Sequence, residues 1–124
     1  MKPRVLIVDD EFGLAEVIAE ILCERGYDAV IAMNGKLALA EMQQTPPQFV
    51  MLDVMMPVMD GPTLLGHMQQ DPRLASIPVV LMSSLAESSF ASVRALYREF
   101  VRKPFTPEAL YDLVERYAGR PESA

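Results

Sequence analysis

The sequence predicts an α/β protein in which helices cover both faces of a parallel β-sheet. Three observations lead to this prediction. Short apolar segments alternate with amphipathic segments of helical period, five times along the 124 residues. The first and third apolar segments are rich in β-branched or long aliphatic residues at successive positions, as in strands buried on both faces. No linker, repeat or low-complexity segment divides the chain, so we expect one domain spanning residues 1–124.

The five predicted strands are short, mostly apolar runs that end at polar or charged residues. They are residues 4–9, 28–32, 49–53, 78–83 and 99–103. A proline introduces the fourth strand, and the fifth is the most polar of the set. With helical segments between them, these strands require right-handed crossovers, which place neighbouring strands parallel to one another.

The predicted helices follow from apolar residues repeated at helical spacing. In the first helix this stripe consists of Leu14, Val17, Ile18, Ile21 and Leu22. Asn34, Asp60 and Thr106 are the expected N-caps of the second, third and fifth helices. The fourth helix is predicted over residues 86–97 from the helical spacing of Phe90, Val93 and Tyr97, which is the weakest of the patterns.

Composition narrows the classes of function. The net charge of −6 does not favour direct binding to nucleic acid, whose phosphates need a basic surface. No apolar run approaches the roughly 20 residues that cross a bilayer, so no membrane association is expected and a cytoplasmic location is predicted. The single cysteine, Cys23, fits a reducing compartment and is predicted to be buried in the first helix. With His67 on the third helix, a zinc site is not expected.

Polar residues stand at the carboxyl ends of four predicted strands. Asp9 and Asp10 end or follow the first strand, Asp53 ends the third, Ser83 the fourth and Lys103 the fifth. Ligands of open parallel sheets bind at this edge. We therefore expect these side chains to converge on one site.

The predicted acids would destabilise the fold unless a cation accompanied them. Two carboxylates about 4 Å apart repel by roughly 4 kcal/mol at an effective dielectric constant near 20. Lys103 offsets one charge, and oxygen ligands with open positions suit Mg²⁺. A carboxylate, a cation and a hydroxyl donor are also the groups needed to place a phosphoryl group on Asp53.

The motifs VLIVDDE (5–11), LDVMMPVMDG (52–61), PVVLMSS (78–84) and KPF (103–105) resemble those of the receiver domain of two-component response regulators. Their order and spacing are shared over about residues 3–119. The resemblance implies a flavodoxin-like three-layer sandwich, (βα)5, with strand order 2-1-3-4-5. It also implies phosphorelay signal transduction rather than turnover of an external substrate.

The resemblance implies a role for each residue of the acidic site. Asp53 is the expected phosphoacceptor. Asp10, Asp53 and the backbone carbonyl of Met55 are the expected Mg²⁺ ligands, and Asp9 is expected to act on the ion through water. Lys103 matches the lysine that pairs with the phosphoryl group. The domain is expected to assist its own phosphotransfer and autodephosphorylation.

Ser83 and Phe100 match the switch residues of the family. The resemblance implies that phosphorylation attracts Ser83, that Phe100 then turns inward, and that the face of helix four, strand five and helix five changes shape. The expected partner is a histidine kinase or a histidine phosphotransfer protein. The sequence leaves open the downstream protein target and whether phosphorylation drives dimerisation.

Some positions depart from the family pattern. The sequence ALYREF (95–100) is unusual before the fifth strand, and the Ser83–Lys103 interval is slightly short, so helix four is expected to differ. Ser84 is bulkier than the usual alanine or glycine. Met55 and Leu85 are apolar at positions that tune loss of the phosphoryl group, and we hypothesise that they lengthen its lifetime.

The same residues bear on three other functions. An aspartyl phosphatase or phosphotransferase usually carries a second acid two residues after its nucleophile, where this chain has Met55. A nucleotide-binding domain needs a glycine-rich first loop, but residues 9–14 are DDEFGL. The remaining alternative is a protein-interaction module that uses the same fold without phosphorylation.

Overall fold

A computed structural model of the chain describes residues 2–121. The strands are β1 (Arg4–Val8), β2 (Asp28–Ala32), β3 (Phe49–Asp53), β4 (Val79–Ser83) and β5 (Glu99–Arg102). The α-helices are α1 (Phe12–Glu24), α2 (Gly35–Gln44), α3 (Gly61–Gln70) and α4 (Pro107–Ala118). A 3₁₀ helix, η1 (Glu87–Leu96), lies between β4 and β5. Each strand is therefore followed by a helical element, as predicted.

The five strands form one sheet in the order β2-β1-β3-β4-β5, and every neighbouring pair is parallel. This confirms the predicted flavodoxin-like topology. Side chains that alternate along β1 and β3 enter two separate hydrophobic clusters, one on each face of the sheet. One cluster contains residues of α2, α3 and η1, and the other contains residues of α1 and α4. The molecule is thus a three-layer sandwich, with β3 buried along its whole length at the centre.

The three predicted N-caps are confirmed. Asn34 Oδ1 accepts a hydrogen bond from the Leu37 amide at 2.9 Å, and Asp60 Oδ1 accepts one from Thr63 at 2.9 Å. Thr106 Oγ1 accepts one from the Ala109 amide at 3.1 Å. Each side chain satisfies a backbone donor that the first turn of a helix leaves unpaired, so the helix starts at the predicted position.

Two predictions for α1 were wrong. Val17 is 52% exposed and Cys23 is exposed, although both were predicted to be buried. The buried stripe of α1 is narrower than the apolar pattern and consists of Ala15, Ile18, Ala19 and Leu22. Val17 and Cys23 each stand one position from a buried residue, so the 100° turn per residue carries them off the face that meets the sheet.

The predicted fourth helix is a 3₁₀ helix rather than an α-helix. It is kinked at Phe90, whose backbone angles of φ −123° and ψ 25° are not helical. Serines at 88, 89 and 92 favour this outcome because their hydroxyls compete for backbone hydrogen bonds. This irregular geometry lies in the fourth helix, which the unusual sequence ALYREF (95–100) led us to expect to differ.

The remaining differences concern the ends of strands. β1 ends at Val8, β4 begins at Val79 and β5 ends at Arg102, each one residue inside the predicted bounds. No helix among residues 2–121 is both long enough and apolar enough to cross a membrane.

Candidate functional site

Parallel pairing brings the carboxyl ends of β1, β3 and β4 to one edge of the sheet. Asp53 is the last residue of β3 and lies opposite Met82 in the register with β4. Asp9 directly follows β1, and its amide donates to the Ala32 carbonyl at 3.1 Å. The Val54 amide donates to the Met82 carbonyl at 3.2 Å just beyond Asp53. Both acids are therefore held by the backbone of the sheet.

Three carboxylates meet at this edge. Asp9, Asp10 and Asp53 each place an oxygen within 4.8 Å of the others. Asp9 has no exposed surface and Asp53 is 9% exposed, whereas Asp10 faces solvent. The side chain of Asp9 is also held by the backbone, because its Oδ1 accepts a hydrogen bond from the Glu11 amide at 2.9 Å. The cluster is therefore buried at Asp9 and Asp53 and open to solvent at Asp10.

Lys103 reaches the two buried acids from the end of β5. Its Nζ atom lies 2.9 Å from Asp9 Oδ2 and 3.5 Å from Asp53 Oδ1. The Lys103 amide donates to the Ser83 carbonyl at 2.8 Å, which extends the β4–β5 pairing and sets the direction of the side chain. The strongest contact of the ammonium group is therefore with Asp9.

The charges of this cluster alter each other's protonation. Burial, and after it the nearby charge of Asp9, raise the pKa of Asp53 to about 6, although the charge and the hydrogen bond of Lys103 act to lower it. Burial by itself would lower the pKa of Lys103, but the hydrogen bond with Asp9 and the charges of Asp53 and Asp9 outweigh that effect and raise it. The lysine thus stays charged, while Asp53 ionises less readily than an ordinary aspartate.

Ser83 ends β4 beside this cluster and is buried, with 4% of its surface exposed. Its Oγ atom accepts a hydrogen bond from the Leu85 amide at 3.0 Å. A hydroxyl that accepts one hydrogen bond keeps its own hydrogen free for donation. One residue further on, the carbonyl of Ser84 accepts a hydrogen bond from Arg102 Nε at 3.3 Å. The loop after β4 therefore has two hydrogen bonds that hold its present position.

Two exposed side chains on the loops that follow Asp53 and Ser83 are apolar. Met55 is 66% exposed and Leu85 is 45% exposed. On β5, Phe100 is half-buried and stacks on Phe90 of η1, with ring centroids 6.1 Å apart.

The donor set suits a hard divalent cation. Three carboxylate oxygens with one open side match an ion that keeps several waters and takes few protein ligands, as Mg²⁺ does. Lys103 offsets part of the negative charge of the three acids, and the charge of Asp9 contributes, after burial, to the raised pKa of Asp53. The residues present therefore fit a bound metal ion.

Comparison with known proteins assigns the family. Residues 5–115 match the family model of the response regulator receiver domain. The chain belongs to this family. Receiver domains are components of two-component signal transduction and are generally not turnover enzymes.

Curated relatives support the assignment. The receiver domain is 30% identical over 115 residues to an uncharacterised 14.6 kDa protein of Leptolyngbya boryana, covering 91% of this chain and 88% of that protein. It is 31% identical to the probable transcriptional regulator ycf27 of Cyanophora paradoxa, covering 98% of this chain and 51% of that protein. It is also 31% identical to the DNA-binding dual master transcriptional regulator RpaA of a Synechocystis strain, covering 87% of this chain and 46% of that protein. The chain spans about half the length of these two regulators.

Solved structures agree with the fold. The chemotaxis response regulator CheY4 of Vibrio cholerae superposes with a TM-score of 0.88 at 25% identity, over 94% of this receiver domain and 99% of that chain. The receiver domain of a histidine kinase from Syntrophus aciditrophicus superposes with a TM-score of 0.86 at 32% identity, over 98% of this chain and 96% of that chain. Both comparisons extend over nearly the whole receiver domain.

The structure brings Asp9, Asp10, Asp53 and Lys103 together, with Ser83 at the end of the adjoining strand. Phe100 lies two strands from Asp53, on β5. Sequence reasoning missed two features. The pairing of Lys103 with Asp9 depends on side-chain packing, and the contact of Phe90 with Phe100 depends on the path of η1. For Phe90, its place in the helical pattern was the one available signal.

Proposed function

We propose that the chain accepts a phosphoryl group on Asp53 from the phosphohistidine of a histidine kinase or a phosphotransfer protein. The observation that carries this proposal is that Asp53 lies within 4.8 Å of two other acids and 3.5 Å from the Lys103 ammonium group. A structural ion pair would need one acid and one base. Three acids and one lysine instead form a site whose charge is balanced only when a cation joins it.

The transfer uses the carboxylate of Asp53 as the nucleophile. One of its oxygens attacks phosphorus, and the new O–P bond forms as the P–N bond of phosphohistidine breaks. The electron pair of that bond returns to the imidazole, whose other nitrogen holds a proton, and neutral histidine leaves. Lys103 stabilises negative charge on the phosphoryl oxygens. Because the pKa of Asp53 is about 6, the nucleophile is mostly ionised at neutral pH.

Asp10, Asp53 and the Met55 carbonyl would hold Mg²⁺, with Asp9 acting through a water molecule. When bound, the ion neutralises the carboxylates and stabilises charge on the transferred group. Asp9 meanwhile keeps Lys103 in place through their 2.9 Å contact. Hydrolysis resets the protein, because water attacks phosphorus, the P–O bond to Asp53 breaks and the carboxylate is restored.

The loop after β4 couples modification to the surface. A phosphoryl group on Asp53 offers new acceptors to the free hydrogen of the Ser83 hydroxyl, so Ser83 and the loop that its hydrogen bond with the Leu85 amide joins to it move toward Asp53. Movement of this loop gives Phe100 room to turn inward. The face formed by η1, β5 and α4 then differs between the two forms and is the surface that a downstream protein would recognise.

An apolar groove beside the site gives a phosphodonor protein a place to dock. It runs between α1 and the start of α4 and begins at Pro104 and Phe105, directly after Lys103. Leu14, Val17 and Ile21 of α1 form its other wall. The exposure of Val17 is thus explained by its position on the groove. A partner that fills the groove would present its histidine within reach of the acidic edge.

Intact mass spectrometry tests the proposed chemistry. The protein is incubated with Mg²⁺ and acetyl phosphate, and one base-labile phosphoryl adduct is expected. The adduct should be absent in Asp53→Asn and absent when the metal is chelated. Asp60→Asn is the matched control, because it removes an acid from the loop after β3 yet keeps the cap of α3. This variant should be modified like the wild type.

The same experiment separates the alternatives. An adduct that persists in Asp53→Asn would assign the phosphoacceptor to another residue. No adduct under any of these conditions would favour an interaction module that works without phosphorylation. Release of many equivalents of phosphate per protein from an unrelated phosphate ester would favour a phosphatase.

A further inference from the structure

Helix η1 is shaped around one buried ring. Of its ten residues, Phe90 is the buried one. The backbone leaves helical geometry at this same residue, with φ −123° and ψ 25°. The kink therefore coincides with the side chain that η1 inserts into the protein, while Ser88, Ser89 and Ser92 remain exposed.

The Phe90 ring lies between the phosphoacceptor loop and β5. On one side it stacks on Phe100, with centroids 6.1 Å apart and the planes 29° from parallel. On the other side it lines a groove of about 340 Å³ whose remaining walls are Val54, Met55, Met56, Asp60 and Pro62. These residues belong to the segment that follows Asp53. One side chain thus touches both the region that is modified and the aromatic residue expected to move.

A clamp at the two ends of η1 keeps Phe90 in this position. The Tyr97 hydroxyl donates to Glu87 Oε2 at 2.7 Å, which joins the residue after η1 to its first residue. Arg94 lies 3.4 Å from the same carboxylate and packs over the Tyr97 ring. Because η1 lacks the hydrogen bonds of an α-helix, these side-chain contacts close the segment instead.

We propose that Phe90 is a positioning residue that holds Phe100 in its resting place and thereby sets the balance between the resting and switched forms. The proposal rests on the function proposed above. The stack on Phe90 exists only while Phe100 occupies its present position, so it stabilises the resting form and not the switched one. A contact that favours one form lowers the apparent affinity of any ligand that favours the other.

The size of the effect follows from the strength of aromatic pairs. Loss of one stack is expected to raise the population of the switched form about two- to tenfold. The apparent affinity for a phosphoryl analogue at Asp53 should rise by the same factor, because the two equilibria are linked. This is a gain of affinity after removal of a buried ring, which a purely structural role does not produce.

Phe90→Leu tests the proposal, since it keeps an apolar side chain and removes the ring. The probe is beryllium fluoride with Mg²⁺, titrated while the side-chain NMR signals of Phe100 are followed. Phe90→Leu should bind the probe about two- to tenfold more tightly than the wild type. Phe90→Tyr, which retains the ring, should restore the wild-type affinity. Val93→Ala is the matched control, because it trims a half-buried apolar residue of η1.

Two results would overturn the proposal. Equal affinities in Phe90→Leu and Val93→Ala would make Phe90 an ordinary core residue. Unchanged Phe100 signals in the unmodified Phe90→Leu protein would show that the ring does not position Phe100. The second measurement needs no ligand, so it decides the proposal even if the wild type binds no probe and forms no adduct at Asp53. A wild type that binds no probe and forms no adduct would refute the phosphoacceptor function of Asp53, but it would leave the positioning role of Phe90 untouched.

Discussion

The ammonium group of Lys103 lies closer to Asp9 than to Asp53, at 2.9 Å against 3.5 Å. Asp9 is fully buried, and it also accepts a hydrogen bond from the Glu11 amide. Its fixed carboxylate therefore holds the lysine in place. Asp53 is left with the weaker contact and a pKa raised to about 6. The arrangement keeps a cation beside the proposed phosphoacceptor without neutralising it.

Replacing Lys103 with methionine should destabilise the metal-free protein by about 1–3 kcal/mol at pH 7, because the buried Asp9 loses its charged partner. Urea unfolding measures the loss. In an Asp9→Asn background the same replacement should cost clearly less, since one buried acid, Asp53, then loses the lysine instead of two. Equal costs in the two backgrounds would show that the Asp9 contact is energetically unimportant.

Asp53→Asn should make the metal-free protein more stable above pH 7, by about 1–3 kcal/mol. The folded-state pKa of Asp53 is about 6, above its ordinary value of 3.8, so the folded protein binds this proton more tightly than the unfolded chain does. The stability associated with the proton is complete below pH 4 and is lost as the pH rises through 6. The advantage of the variant should therefore shrink as the pH falls from 7 to 4. A constant difference over that range would contradict the raised pKa.

Mg²⁺ should stabilise the folded protein, because it binds an acidic cluster that the unfolded chain does not form. At a free concentration of 100 Kd the expected gain is about 2.7 kcal/mol. Thermal unfolding with increasing MgCl₂ measures it, with NaCl of equal ionic strength as the reference. Asp10→Asn should lose most of the gain, whereas Asp60→Asn, outside the cluster, should retain it. Equal gains in both variants would place the ion elsewhere.

The sequence was sufficient to predict most of the fold. The strands over 28–32 and 49–53 have the predicted bounds, because continuous apolar runs between turn residues have few alternatives. Asn34, Asp60 and Thr106 marked helix starts, because capping is a local interaction. The acidic edge was also predictable, since parallel strands bring their carboxyl ends together whatever the side-chain packing.

What the sequence did not predict depends on contacts between distant residues. The exposure of Val17 and Cys23 depends on how α1 is rotated against the sheet, and small residues at 15 and 19 narrow its buried stripe. The hydrogen bond between Glu87 and Tyr97, which joins the ends of η1, spans ten positions and could not be read from the sequence. The shorter distance from Lys103 to Asp9 than to Asp53 likewise depends on side-chain packing. Periodicity contains none of this information.

The apolar residues beside Asp53 should slow loss of the phosphoryl group. Met55 and Leu85 are both exposed, and neither has a group that could orient or activate an attacking water. Met55→Gln and Leu85→Gln together should shorten the half-life of phosphorylated Asp53 by about tenfold, equivalent to about 1.4 kcal/mol of barrier. Intact mass spectrometry after removal of acetyl phosphate measures the decay. Leu37→Gln, an exposed apolar residue of α2, is the control and should decay like the wild type. A double variant with the wild-type half-life would show that polarity at these positions does not govern access of water.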